Sequence, residues 1–231
     1  MGPVDRLLVD LRVIYASRLT SLVVYGGHAA GTASPDRPIH TLALVDDIGV
    51  ADLEACARQA RRWQSDGLAV PLMIGRREFA RSLDVFPLEF GAIISSHRVV
   101  FGDDPFEGLA VKDQDVRRAC EIDVKGHLLH LREGYVESYG ELSAVARLVE
   151  ASAAALRTLA GNVARLDGAS VVSPAALASH LTKVLGSVHG RTLATVLVLG
   201  DTPLTPADAA RLFPDYLAAA EALAWYVDAW K

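Results

Sequence analysis

The sequence predicts an α+β protein, with a small mixed-sheet domain at residues 1–108 followed by an all-helical bundle domain at residues 109–231. Two observations predict this organisation. Short apolar runs bounded by glycine and proline alternate with helical segments as far as "HRVVFGDDPFEG" at 97–108, and beyond that point apolar residues recur at helical spacing. Hydrophobic residues make up 51% of the 231 residues and charged residues 22%, which is typical of a chain that packs a core.

The expected elements of the first domain follow in chain order. Hydrophobic spacing predicts helices at 4–17, 50–64, 76–83 and 85–96. Apolar runs predict strands at 20–25, 39–45, 68–75 and 97–102. Pro71 indicates either an edge position for the third strand or an irregularity in it, because proline cannot donate a ladder hydrogen bond. In the helix at 50–64 the apolar side is expected to hold Val50, Leu53, Ala57 and Ala60.

The second domain shows helical periods interrupted at 167–174 and 199–208. Each interruption ends in a capping residue followed by proline, Ser173-Pro174 and Thr205-Pro206, and this pair is typical of a helix start. In the first helix of this domain, expected at 111–135, Arg117, Glu121 and Lys125 are spaced for ion pairs. Its later residues, His127, His130, Arg132 and Tyr135, form either a face that contacts a nucleotide or acceptor, or an ordinary inter-domain or solvent face.

Composition excludes several classes of function. The net charge of −5 and the pI near 5.8 argue against duplex nucleic acid as a partner. Cys56 and Cys120 lie far apart, which favours buried thiols in a reducing cytoplasm over a metal site or a disulfide. Charged residues interrupt the first helix, so a signal peptide is not expected, and the apolar runs are too short to span a membrane. We therefore expect a cytoplasmic protein with no membrane partner.

A glycine-rich turn between the first two strands carries a family resemblance. The segments are "TSLVVYGGHAAG" at 20–31 and "PIHTLALVDD" at 38–47. The order helix, strand, glycine-rich turn, strand, helix, strand over residues 4–102 resembles the DNA polymerase β-type nucleotidyltransferase superfamily. The helical region, with "DVRRACEIDVKGHLLHLREGY" at 115–135, is similar to the C-terminal domain of bacterial nucleotidyltransferase-domain proteins.

The resemblance implies a triphosphate held near the turn and carboxylates that hold two divalent ions. Gly26 matches the first glycine of the "GS-x-A-x-G" motif, whereas Gly27 stands where the motif has serine. The paired metal aspartates fall at Pro38 and His40, and the third falls near Pro71. All three positions lack a carboxylate, so the resemblance implies a degenerate site. It assigns no catalytic residue and no metal ligand, and magnesium with a nucleoside triphosphate has little support. The nucleotide-binding candidates are Gly26, Gly27, His28, Gly31 and His40.

Three hypotheses follow. The first is a nucleotidyltransferase-like protein without catalysis that binds a nucleotide or a protein partner through the remnant cleft. The second is an active nucleotidyltransferase with a rearranged metal site, modifying a small molecule or a protein. Asp46 and Asp47 are its candidate residues, although such a pair more often caps the end of a strand or the N-terminus of the following helix. The third is a structural protein or homodimer without a ligand, for which the aromatic C-terminal segment "LAWYVDAW" is the motivation.

Overall fold

The structure is a computed structural model that describes residues 1–33, 36–79, 81–169, 173–199 and 203–230. The chain divides into two compact units, Met1–Lys112 and Asp113–Lys231. Within the described ranges, none of the helices combines the length and the apolar character needed to cross a lipid bilayer.

The first unit has the expected alternation of helices and strands. Its helices are α1 (Pro3–Tyr15), α2 (Gly27–Ala30), α3 (Val50–Ser65), α4 (Arg76–Phe79) and α5 (Pro87–Ser95). Its strands are β1 (Leu19–Tyr25), β2 (His40–Val45), β3 (Leu72–Gly75) and β4 (His97–Gly102). A short 3-10 turn, Ala16–Arg18, connects α1 to β1.

In the described residues these strands form one mixed sheet in the order β3-β2-β1-β4. Strand β1 runs antiparallel to β2 and β4, whereas β2 and β3 are parallel. The α+β class and the edge position of β3 are therefore confirmed. Strand β3 is shorter than expected: Leu68 makes only an isolated bridge to Ile39, and regular pairing begins after Pro71, which has no N–H to donate.

Both faces of the sheet are covered, because successive side chains of a strand point to opposite faces. Helices α1 and α3 pack on one face, where Tyr15 and Trp63 are almost fully buried. Helices α4 and α5 pack on the other face, where Phe79 makes edge-on contacts with Phe90 and Phe106. The sheet is thus a buried central layer, and its ends carry the loops.

The expected apolar side of α3 is wrong except for Ala60, which packs against the core. Val50 is 73% exposed and Leu53 is 47% exposed, whereas Asp52, Cys56 and Trp63 face the core. Burying the large Trp63 ring outweighs burying two smaller side chains on another side of the helix. The charge of Asp52 is tolerated there because Arg18 binds both of its carboxylate oxygens, at 2.8 and 2.7 Å.

The second unit is an all-helical bundle of α6 (Asp113–Glu137), α7 (Leu142–Leu166), α8 (Pro174–Leu197) and α9 (Pro206–Asp228). Both predicted caps are present, since Ser173 Oγ accepts the N–H of Ala176 and Thr205 Oγ1 accepts the N–H of Asp208. Helix α8 is interrupted at Gly186, whose φ of 80° and ψ of 168° are not helical. The chain after this point folds back against the segment before it.

The expected polar face of α6 is divided between the bundle interior and solvent. His127 is buried, with Nε2 2.8 Å from the hydroxyl of Tyr216, and Tyr135 stacks on Phe213 with ring centroids 4.5 Å apart. A contact with nucleotide is therefore wrong for His127. The ion pairs predicted for Glu121 are confirmed, with Arg117 at 2.8 Å and Lys125 at 2.5 Å.

The aromatic C-terminal segment is anchored by Asp167. One carboxylate oxygen accepts the hydroxyl of Tyr226 at 2.8 Å and the indole N–H of Trp230 at 3.0 Å. The other lies 2.7 Å from Nε2 of His180. Tyr226 and Trp230 therefore pack within the bundle, whereas Trp225 is 73% exposed.

Candidate functional site

The glycine-rich turn leaves the sheet at the end of β1. Gly26 has φ 72° and ψ −149°, a conformation that is costly for any residue with a Cβ. Helix α2 follows for a single turn and ends at Gly31, which is left-handed with φ 70°. Both glycines therefore fix the backbone path of the turn.

Hydrogen bonds hold this path in place. The N–H of Gly26 donates to the carbonyl of Ser96 at 2.9 Å, and Ser96 Oγ donates back to the carbonyl of Gly26 at 3.2 Å. The carbonyl of Gly27 accepts the N–H groups of Thr32 and Ala33 at 2.9 and 3.1 Å. Within the described ranges, the N–H groups of Gly27 and His28 have no acceptor, so they can donate to a ligand.

Gly27 has a steric reason to lack a side chain. A Cβ at this position would lie 3.2 Å from the Cβ of Ala33 and 3.3 Å from its Cα. The chain leaving the turn thus occupies the space into which a serine side chain would extend.

The three positions to which the resemblance assigns the motif's carboxylates lie at the edge of the sheet that carries this turn. Tyr25, the last residue of β1, pairs with His40, the first residue of β2, and Pro38 precedes that strand. Because β2 and β3 are parallel and Leu42 pairs with Leu72, Pro71 lies beside the start of β2. Magnesium prefers oxygen ligands, and neither proline nor imidazole side chains supply them. These residues do not fit a two-magnesium centre.

The described residues contain no group of three or more His, Cys, Asp or Glu side chains that could hold a metal ion. Asp46 and Asp47 follow the opposite end of β2, at a distance along the strand of about 20 Å from His40. Asp46 lies 3.5 Å from Arg76 and Asp47 lies 3.6 Å from Arg18. The structure therefore separates this acidic pair from the turn.

Asp46 and Asp47 directly follow the end of β2, one of the two capping positions expected for them, and the other position, the N-cap of α3, is wrong. The N-cap of α3 is Gly49, and its N–H donates to Asp52 at 2.9 Å. Asp52 thus supplies from inside the first turn the carboxylate that was expected to precede the helix. The exposed pair instead binds arginines at the surface.

A row of rings crosses the sheet beside the turn. Tyr25 pairs with His40 on one side and with His97 on the other. Directly paired residues share a face of the sheet, and the rings of Tyr25 and His40 are 5.7 Å apart. The ring of His97 contacts Phe106 at 4.8 Å. His40 is exposed and Tyr25 is half-buried, so this end of the row is accessible.

His97 and Asp104 are residues of this edge that sequence reasoning missed. Nδ1 of His97 lies 3.0 Å from the carbonyl of Ile94, and Nε2 lies 3.2 Å from both oxygens of Asp104. Asp104 also accepts the N–H of Phe106, which with His97 lowers the pKa of this carboxyl. The run "HRVVFG" signals a strand, but its pairing beside β1 has no local sequence signal.

Comparisons with known proteins give one informative result. No family model matches the chain, and no curated protein matches it. Among solved structures, a spectinomycin adenyltransferase from Enterococcus faecialis, crystallised with ATP and spectinomycin, matches with a TM-score of 0.58. The match covers 98% of each chain, at 10% sequence identity. The chain therefore has a nucleotidyltransferase-like fold, with a mixed-sheet unit and a helical bundle.

Proposed function

We propose that this protein is a nucleotidyltransferase-like protein that binds a nucleotide through its glycine-rich turn and does not carry out two-metal nucleotidyl transfer. The observation that carries the proposal is the composition of the sheet edge beside the turn, where Pro38, His40 and Pro71 stand at the carboxylate positions. Without anionic ligands, two divalent cations would repel each other at this edge with nothing to offset the repulsion.

The retained turn supports nucleotide binding. The N–H groups of Gly27 and His28 have no acceptor among the described residues, and phosphate oxygens are strong acceptors. Imidazole N–H groups of His28 and His40 can add further donors. The adenyltransferase that shares the fold was crystallised with ATP, which makes a nucleoside triphosphate the first ligand to test.

This arrangement leads us to expect binding that does not depend on magnesium. Isothermal titration calorimetry with ATP, GTP, CTP and UTP should give the same affinity in excess Mg²⁺ as in a chelator. Gly26→Ala should abolish the heat of binding, because alanine disfavours the backbone conformation of Gly26. Gly67→Ala is the matched control, since Gly67 also has a positive φ, of 82°, with open space around it, but lies outside the turn.

Two results would contradict the proposal. Flat titrations with all four nucleotides would remove nucleotide binding and leave a protein partner as the ligand of the cleft. Transfer of a labelled nucleoside monophosphate to an acceptor, dependent on Mg²⁺, would show that catalysis persists. If Asp46→Ala or Asp47→Ala abolished that transfer, the result would support the alternative hypothesis of an active enzyme with a rearranged metal site.

A further inference from the structure

The side chain of His97 connects the end of helix α5 to the turn that follows β4. It is only 16% exposed. Its Nδ1 lies 3.0 Å from the carbonyl oxygen of Ile94, in the last turn of α5, and its Nε2 lies 3.2 Å from both carboxylate oxygens of Asp104. Asp104 is itself fixed, because one of its oxygens accepts the N–H of Phe106 at 2.9 Å. The ring of His97 therefore has an acceptor at each nitrogen.

Only a protonated ring can satisfy both of these acceptors. A backbone carbonyl accepts hydrogen bonds but cannot donate them, and a neutral imidazole has one N–H where an imidazolium has two. Asp104 is a carboxylate near neutral pH, since the N–H of Phe106 and the ring of His97 lower the pKa of its carboxyl. A positive charge just beyond the C-terminus of α5 also interacts favourably with the helix dipole. This geometry favours the imidazolium form of His97.

The other titratable neighbour of the ring does not add a charge. Tyr25 of β1 pairs with His97 across the sheet, and burial raises the pKa of its hydroxyl, so Tyr25 stays neutral. Helix α5 presents the carbonyl of Ile94, which carries no net charge. In the part of the chain that the structure describes, Asp104 is thus the charged group that bonds to this ring.

The backbone beside His97 holds the glycine-rich turn. Tyr25 pairs with His97, and the next residue, Gly26, extends this pairing to Ser96. The N–H of Gly26 donates to the carbonyl of Ser96 at 2.9 Å, and Ser96 Oγ donates to the carbonyl of Gly26 at 3.2 Å. The bond from His97 back to Ile94 closes the chain around Ser96. Losing this bond would therefore loosen the partner of Gly26.

We propose that protonated His97 holds the glycine-rich turn in its observed path, so that raising the pH loosens the turn and weakens ligand binding there. A neutral ring gives up its bond to Ile94 or its bond to Asp104. Histidine is the side chain whose charge ordinarily changes between pH 5 and 8, which places the response near neutral pH. The effect on the turn stands by itself, and the effect on ligand binding rests on the nucleotide binding proposed above.

Hydrogen exchange of the Gly26 amide, measured by NMR without ligand, tests the effect on the turn. After correction for the intrinsic pH dependence of exchange, protection in the parent should be at least about threefold lower at pH 8 than at pH 6. His97→Gln should show the low protection at both pH values, because glutamine does not titrate. Asp104→Asn removes the charge that favours the imidazolium and should abolish most of the difference. Asp103→Asn is the matched control, because it changes the neighbouring exposed carboxylate and should keep the difference.

Two results of this experiment would overturn the proposal. One is equal protection of Gly26 in the parent at pH 6 and pH 8. The other is a decrease in His97→Gln as large as that in the parent, which would assign the response to another group.

Calorimetry with ATP tests the effect on binding. Phosphate groups and other histidines also titrate near neutral pH, so the parent and His97→Gln are compared with each other at each pH. The parent should bind ATP at least about threefold more tightly than His97→Gln at pH 6, and the two should bind equally at pH 8. A ratio of affinities that does not change with pH would overturn the proposal while leaving nucleotide binding intact. Flat titrations of both proteins, with protection of Gly26 still falling as the pH rises, would instead remove the proposed nucleotide binding and support the role of His97 in the turn.

Discussion

Gly190 lies against Thr182 where helix α8 folds back after Gly186. A Cβ on Gly190 would overlap the Cα of Thr182 and lie 2.7 Å from its backbone nitrogen. Backbone atoms cannot move aside as a flexible side chain can, so Gly190→Ala must separate the two segments. We expect this change to lower the free energy of unfolding by about 3 kcal/mol or more, measured by urea denaturation.

Gly161 provides the matched control for this prediction. It lies inside α7, and a Cβ there would meet nothing within 4 Å. Gly161→Ala should raise the free energy of unfolding by about 0.5–1 kcal/mol, because alanine loses less backbone entropy in a helix. Equal effects of the two changes would show that Gly190 is not closely packed.

Single residues also show where sequence reasoning succeeds. The glycines of the turn are visible in the sequence because a short apolar strand stops at them, and the conformation of Gly26 requires a residue without a Cβ. The contact of Gly27 with Ala33 has no such signal, because the path of a loop depends on its own hydrogen bonds. The position of His97 could not be predicted for a related reason. It lies beside Tyr25 because two strands pair that are far apart in the sequence.

The start of helix α3 depends on one charge pair. Arg18 binds both oxygens of Asp52, and the N–H of Gly49 adds a further bond. The Arg18 guanidinium lowers the pKa of Asp52 to about 2. A carboxyl with a depressed folded pKa stabilises the fold above its unfolded pKa of 3.8, and the contribution is lost as the pH falls towards 2.

Asp52→Asn should therefore lower the free energy of unfolding at pH 7 by about 1–3 kcal/mol, and the deficit should shrink as the pH is lowered from 4 to 2. Urea denaturation at several pH values measures both effects. Asp47→Asn is the control, because Asp47 is an exposed carboxylate 3.6 Å from the same arginine, and such pairs contribute little. A deficit that is constant with pH would exclude the charge as its cause.

The packing of α6 on α9 and α7 contains a buried histidine that must stay neutral. Burial lowers the pKa of His127 to about 4, and its ring lies 2.8 Å from Tyr216, whose hydroxyl is 3.0 Å from Ser152. Between pH 6.5 and 4 the unfolded chain binds a proton that the folded chain does not. Stability from this source is complete above pH 6.5 and decreases as the pH falls.

As the pH falls from 6.5 to 4, the free energy of unfolding of the parent protein should decrease by about 2–3 kcal/mol, because the unfolded chain protonates His127 and the folded chain does not. His127→Gln keeps a hydrogen-bonding side chain but does not titrate, so its stability should change less over the same range. His130→Gln removes a charge that adds to the lowering of the pKa of His127, but it leaves the burial of that ring in place, so the profile should change far less than in His127→Gln. Identical profiles for all three proteins would contradict the assignment to His127.

Helix and strand positions were largely predictable, because the hydrophobic periods and the capping pairs are local signals. The buried side of α3 could not be predicted, because it depends on contacts of Trp63 and Asp52 with residues that are far away in the sequence. The interruption of α8 was missed for the opposite reason. Gly186 and Gly190 look like ordinary helical glycines until the fold-back brings residue 190 against residue 182.

At the scale of the whole molecule, the fold is nucleotidyltransferase-like, and we propose that the chemistry of its site is changed. The mixed sheet brings the turn and the starts of β2 and β3 to one edge, as a nucleotidyltransferase-like fold requires. The positions at that edge were assigned from the sequence by counting back from "LVDD" along the second strand, and that assignment stays a prediction. Their effect on ligand binding depends on whether these positions truly converge, and introducing carboxylates tests this directly.

Pro38→Asp combined with His40→Asp should create a magnesium-dependent response that the parent lacks. The two positions are two residues apart at the start of an extended strand, so the new carboxylates project to the same side and supply oxygen ligands beside the turn. In calorimetry, Mg²⁺ should tighten ATP binding by the double variant by about tenfold and leave the parent unaffected. The control is the pair of asparagine changes at the same positions, which match aspartate in size but lack its charge. If the aspartate variant stays indifferent to Mg²⁺ while still binding ATP, Pro38 and His40 do not face the bound phosphates, and the ligand must sit elsewhere along the turn.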